Sequence, residues 1–244
     1  MDNGFDVDLG RGDWLASGSS QTSLRIWLSS PRDSLFVVAV SRADVLDSLA
    51  GRAETVVTPM PSGAAGAFRV DDIAALHQAL RRAFQLSRTL PDALLNAFSN
   101  ETANLPRTTE AERLVVQRIG QGIFRRGLLE FWDGRCAVTG IDVPELLRAS
   151  HIKPWTDCAT DSERLDVFNG LLLAPHLDAA FDAGFITVAE DGAVLISPDL
   201  PPDTHPALGL RGSIEVVGLD RTHEHYLRWH RANVFRGSSD GETL

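Results

Sequence analysis

At 244 residues the chain is long enough for one large self-sufficient core or two small ones. Hydrophobic residues make up 43% and charged residues 23%, ordinary globular usage that excludes wholesale disorder. A formal net charge of -10 argues against a nonspecific nucleic-acid coat, and no apolar run approaches the ~20 residues of a membrane helix. The acidic start "MDNGFDVDLGRGD" lacks the basic, then apolar character of a secretory leader, so a cytoplasmic location is expected. Cys136 and Cys158 stand apart, with no CxxC knuckle, and suit a reducing compartment.

From the N-terminus, "SLRIWLS" (23–29) alternates apolar and polar, "SLFVVAVS" (34–41) is valine-rich, and "SPRD" between them predicts a hairpin. "RADVLDSLAG" has helical spacing with a terminal glycine, and "ETVVTPM" (54–60) is a strand candidate. The segment from 66 to 90 places Ile73, Leu76, Leu80 and Phe84 on one helical face. Residues 91–110 lose periodicity and predict a connection. Residues 109–132 regain it, with Gly120 and Gly122 dividing the pattern into two helices. The chain therefore divides into a small α+β domain, 1–105, and a second domain, 106–244.

In the second domain a strand ends at His151 and a polar loop runs to Asn169. "GLLLAP" is a strand, "HLDAAFDAG" a short helix, and "FITVAEDGAVLIS" a hairpin turning on "EDG". A last helix falls within "DRTHEHYLRWHRANVF", with Tyr226, Leu227 and Val234 packed and Arg228 and Arg231 exposed. Charge is uneven: residues 106–155 hold eight Arg or Lys against six acids, and residues 156–210 hold one against ten, a contrast that a metal site facing a phosphate would show but that, from charge alone, a solvated acidic loop explains more simply. Asp178 and Asp182, four apart, share one helical face. Two such carboxylates repel unless neutralised, and oxygen ligands suit magnesium, manganese or calcium. A histidine with an ordinary pKa of about 6.5 takes a proton from water near neutrality, so metal and base together are the equipment of phosphodiester hydrolysis.

"CAVTG", "ELLRASHIKPW", "RLDVFNGLLLAPHLDAAFD" and "GFITVAEDGAVLIS", in that order, resemble the HNH endonuclease family, the ββα-metal nuclease fold, in its bacterial restriction-type subgroup. The resemblance covers roughly residues 115–200, with a core near 134–200, and leaves the N-terminal domain uncovered. It implies an α+β chain whose C-terminal domain, with flanking helices, is a metal-dependent DNA endonuclease of restriction or foreign-DNA defence. It implies His151 as general base and Asn169 as the residue tying the loop and orienting that base. Asp178 is the implied metal ligand, with Asp182 and His176 as alternates for a magnesium or manganese ion. Two positions depart from the family pattern. Ser150 stands where many members place the first metal ligand, and aspartate replaces the usual third histidine. Many relatives also carry paired cysteines for zinc; Cys136 has no partner at Thr139, so no structural zinc is expected.

DNA is the expected partner, met by Lys153, Arg125, Arg126 and Arg118. By analogy alone, the N-terminal domain selects the target or forms a homodimer so that two sites cut both strands. Trp14 and Trp27 there are read as core, with a pocket for a modified base as the alternative. A fold retained without activity, or a toxin nuclease with an immunity partner, are the competing readings.

Overall fold

The computed structural model describes residues 3–32, 35–50, 59–106 and 108–237. The chain forms two compact units, Met1–Ala93 and Leu94–Leu244. The strand expected over 54–60 lies mostly outside the described residues.

The first unit is a five-stranded antiparallel sheet in sequence order: β1 (Val7–Arg11), β2 (Leu15–Gly18), β3 (Arg25–Arg32), β4 (Leu35–Val40) and β5 (Gly66–Val70). The predicted hairpin is β3–β4, pairing Trp27 with Ala39 and Leu28 with Val38. Helices α1 (Ala43–Ala50) and α2 (Ile73–Thr89) complete the unit, and Asp72 caps α2 by accepting from the Ala75 N–H. On a separate patch Trp14, Trp27 and Ala64 pack against Val37, Ala39 and Ala67, in keeping with a core role for both tryptophans. β1 and β2 escape the sequence reading because they are short and β1 is exposed throughout. β5 escapes because it runs directly into the acids that open α2.

Two sequence expectations fail beyond residue 90. Residues 91–102 are a helix, α3 (Pro91–Thr102), not a connection, and the units divide at 93/94 where the composition suggested 105/106. The second failure concerns Gly120 and Gly122, which do not interrupt α4 (Glu110–Phe131), a single 22-residue helix opened by a capping box between Thr109 and Glu112. Each helical glycine costs about 1 kcal/mol. Burying Phe124, Leu128 and Phe131 contributes about 1.5–3 kcal/mol apiece, so the helix persists. Gly120 instead admits a neighbour: a Cβ there would lie 2.5 Å from the Trp155 ring.

Against α4 lies a two-stranded antiparallel sheet, β6 (Arg148–His151) and β7 (Gly170–Leu173), pairing Ser150 with Leu171 and His151 with Gly170. Gly170 lets α4 pack close against β7: a Cβ there would meet Phe124 and Leu128 at 2.6–2.9 Å. One turn of helix, α5 (Asp161–Arg164), lies in the loop joining the strands. After β7 come α6 (Pro175–Asp182), the hairpin β8 (Ile186–Val188) and β9 (Val194–Ile196), and α7 (His223–Asn233). The order β6, β7, α6 is the ββα frame that the resemblance implies, placed in the C-terminal half of an α+β chain.

Gly184, between α6 and β8, has φ +74, and a Cβ there would sit 2.1 Å from the Val234 carbonyl oxygen. Gly140, at φ +71, has open space around it. Gly140→Ala should therefore lose only the ~1–2 kcal/mol of a left-handed residue. Gly184→Ala adds a backbone clash and should lose at least twice as much, about 3–4 kcal/mol, in urea unfolding of the full chain.

Candidate active site

The β6–β7 ladder ends with His151 opposite Gly170, and the Ile152 N–H extends it by donating to the Asn169 carbonyl at 3.0 Å. The histidine that closes one strand is thereby fixed beside the asparagine that opens the next. α6 follows β7 after Ala174 alone, with Pro175 in its first turn, so Asp178 and Asp182 are carried back toward β6.

Asn169 is fully buried. Its Oδ1 accepts the Lys153 N–H at 2.8 Å, and its Nδ2 donates to the carbonyls of Lys153 at 3.2 Å and Glu163 at 3.1 Å, with Cys158 Sγ 3.3 Å away. One amide thus closes both ends of the 153–163 loop. Arg164 secures its middle, donating from Nε to the Trp155 carbonyl, from Nη2 to the Cys158 carbonyl and from Nη1 to Asp161. The exit is held from α7, where the Tyr226 hydroxyl donates to Asp166 Oδ2 at 2.9 Å while Asp166 Oδ1 accepts the Phe168 N–H.

That loop fixes the His151 ring. Nε2 lies 2.9 Å from the Arg164 carbonyl oxygen; a carbonyl can only accept, so the proton of the neutral ring sits on Nε2 and the lone pair on Nδ1. The ring stacks on Phe124, with centroids 3.8 Å apart, and meets Trp155 edge-on at 5.6 Å. Burial among these rings lowers its pKa to about 4, partly offset by the Arg164 carbonyl. At neutral pH His151 is an uncharged base with a defined lone pair.

A cleft of about 400 Å³ is lined by His151, Trp155, Arg148, Ser150, Asp178 and Asp182, with α7 contributing His230 and Val234. Ser150 is buried, and its hydroxyl lies 3.5 Å from Asp182 Oδ1. Desolvation raises the pKa of Asp178, offset by Ser150 and by the charge of Arg148. Asp182 is pushed up to about 6 by desolvation and then by the negative charge of Asp178. Among the described residues no three His, Cys, Asp or Glu side chains converge as a ligand group. The donor set is two crowded carboxylates beside a hydroxyl, all oxygen, which fits a hard divalent ion with water completing its shell.

The other sequence candidates fall elsewhere. His176 is exposed on α6 and outside the cleft walls; two residues from Asp178, it lies on the far side of the helix. Arg125 donates to the carbonyls of Leu147 at 2.7 Å and Pro144 at 2.8 Å, bracing the chain that enters β6. Lys153 is paired with Glu163 at 2.8 Å, both largely shielded from solvent. Arg126 is exposed and pairs with Glu101, and Arg118 is exposed on α4. None of these four lines the cleft. In α7 Tyr226 and Leu227 are buried and Arg228 is exposed, whereas Arg231, expected on the surface, donates to the Val188 carbonyl and pairs with Glu224. The sequence reading missed Arg148, Arg164, Trp155 and the Asp166–Tyr226 link. "SHIKPW" followed by "SERLD" held the first signal of a clamped loop.

Residues 136–189 match the HNH endonuclease family, so the C-terminal unit contains an HNH endonuclease domain. No curated protein matches the chain.

Asn169→Ala leaves the Lys153 N–H and Glu163 carbonyl without their partner in a buried setting. It should cost about 3 kcal/mol in urea unfolding, with the denaturant slope unchanged. The pH dependence has two opposed parts. The rings of His151 and of His230, whose pKa burial also lowers to about 4, take their proton first in the unfolded chain. Their contribution is complete above about pH 6.5 and is lost as pH falls toward 4. Asp182, raised to about 6, takes its proton first in the folded chain, so its penalty is complete above pH 6 and vanishes near its ordinary 3.8. Asp182→Asn should raise the thermal midpoint of the metal-free protein at pH 8. Solvent screening at the cleft mouth limits the gain to about 1 kcal/mol, or about 2–4 °C. At pH 4 the gain should disappear, and a gain of equal size at both pH values would contradict this account.

Proposed function

We propose that this HNH endonuclease domain is a metal-dependent nuclease that hydrolyses phosphodiester bonds in DNA, with His151 as general base. The observation that carries this reading is that a neutral imidazole with its lone pair fixed on Nδ1 lines the same cleft as two mutually repelling carboxylates. His151 Nδ1 takes a proton from a water in the cleft as that water attacks phosphorus. A ring held near pKa 4 is a weak base by itself, but an incoming phosphodiester brings negative charge that favours the protonated ring. Asn169 and Arg164 touch no substrate; they keep the ring in its tautomer and orientation. Asp178 and Asp182, with the Ser150 hydroxyl beside them, would hold magnesium or manganese, which supplies positive charge against the phosphate oxygens and the departing 3′ oxygen.

Substitution of Ser150 and Asp178 for the more usual ligands keeps the donor set rich in oxygen, which supports hydrolysis over a fold retained for binding alone. The N-terminal sheet has its own core, which supports a separable role in target selection or in pairing two copies. Cytoplasmic restriction or defence against foreign DNA is the setting we assign. No helix among the described residues is long and apolar enough to cross a membrane.

Supercoiled plasmid incubated with the full chain at pH 7.5 should be cut in magnesium or manganese and left intact in EDTA. His151→Ala should lower kcat by about 10²–10⁴; losing the ring stacked on Phe124 should also lower the unfolding midpoint, so the assay is run well below it, with circular dichroism showing the variant folded. DNA retained but uncut in either metal would make the domain a binding module, and unimpaired cutting by His151→Ala would remove the ring from the chemistry.

A further inference from the structure

The basic residues around the cleft have mostly internal partners. Arg125 is bound to two carbonyls, Lys153 to Glu163, and Arg164 to two carbonyls and Asp161. Each stabilises the frame, and none is on offer to a polyanion. Arg148 is different. It is exposed, and among the described residues it is the one Arg or Lys in the wall of the cleft that holds His151, Asp178 and Asp182.

Its position is fixed from two sides. As the first residue of β6 it pairs with Leu173, the last residue of the strand that leads into α6. Residues 148 and 150 project to the same side of the strand, and Ser150 reaches Asp182 on that side. Immediately before it, the Leu147 carbonyl is held by Arg125 at 2.7 Å. A flexible side chain on a fixed backbone therefore stands in the cleft wall shared with the carboxylates, and its charge is felt by Asp178.

Charge balance indicates what it meets. The two carboxylates outnumber the one guanidinium until a divalent ion is bound, and the cleft then turns positive. A planar guanidinium beside a cation is suited to two non-bridging oxygens of one phosphodiester. We propose that Arg148 binds the scissile phosphate of DNA and is the principal substrate contact within the cleft. This rests on the nuclease reading, and the test separates the two.

DNA binding by the full chain is measured by fluorescence anisotropy in a His151→Ala background, at fixed magnesium and varied potassium chloride. Adding Arg148→Ala should make the salt dependence shallower by about one phosphate contact, whereas Arg148→Lys should retain it. The exposed Arg211→Ala serves as the charge-matched control and should leave the slope unchanged. In the otherwise native chain, Arg148→Ala should lower kcat/KM for plasmid cleavage about 10- to 100-fold, as loss of a charge-assisted contact does, and Arg148→Lys should fall between. Arg148→Gln repeats both measurements should the alanine variant fail to fold. An unchanged slope and rate in Arg148→Ala, or an equal loss in Arg211→Ala, overturns the assignment even if the wild type cuts DNA. A wild type that binds but never cuts, with the slope still lowered by Arg148→Ala, retains the phosphate site and removes the hydrolytic reading.

Discussion

The buried amide of Asn169 is the constraint on which the rest of the second unit depends. Its oxygen and nitrogen together join the residue after Ile152 to the residue before Arg164, closing a loop that has little apolar surface of its own. A loop of this composition would ordinarily be solvated and variable. Once closed, it delivers the Arg164 carbonyl to His151 Nε2, and that single contact selects the tautomer. Folding and the protonation geometry of the imidazole are therefore linked through one side chain that never enters the cleft.

Electrostatics in the cleft work by deprivation. Phe124 and Trp155 strip water from the imidazole, and the fold sets Asp178, half-buried, and Asp182, at the exposed mouth, close enough for their charges to repel, with no cationic partner at bonding distance among the described residues. Both arrangements lower stability at some pH, and each is the kind of local cost that clusters where a protein does chemistry. A cation would relieve the carboxylate pair, so under the proposed function the resting repulsion and the affinity for a divalent ion would have the same origin.

The frame was legible because it is written in local signals. A valine-rich run after a turn, an i, i+4 carboxylate pair and "SHI" before a polar loop each have a period or spacing that sequence exposes. What escaped was long-range. The span 91–102 looked unpatterned because α3 buries only a few side chains, Leu94 and Phe98 among them. Gly120 and Gly122 looked like breaks because propensity ignores what packs against a helix. Arg125 and Lys153 looked like DNA contacts because a basic residue near a motif carries no mark of the carbonyl or carboxylate that will occupy it. Arg148 passed unnoticed for the converse reason, since nothing in "ELLRASHI" says which charge will open onto the cleft.

The notch at Gly120 has a wider consequence. Trp155 seats its ring edge where that glycine lacks a side chain, and the same indole forms the border of the imidazole's enclosure. A position on the long helix, distant in sequence from the loop, thus sets how tightly the His151 ring is walled from bulk water. Along a lineage, replacement at residue 120 would act as a remote dial on the dielectric around the imidazole, altering its proton affinity while every side chain lining the cleft stayed the same.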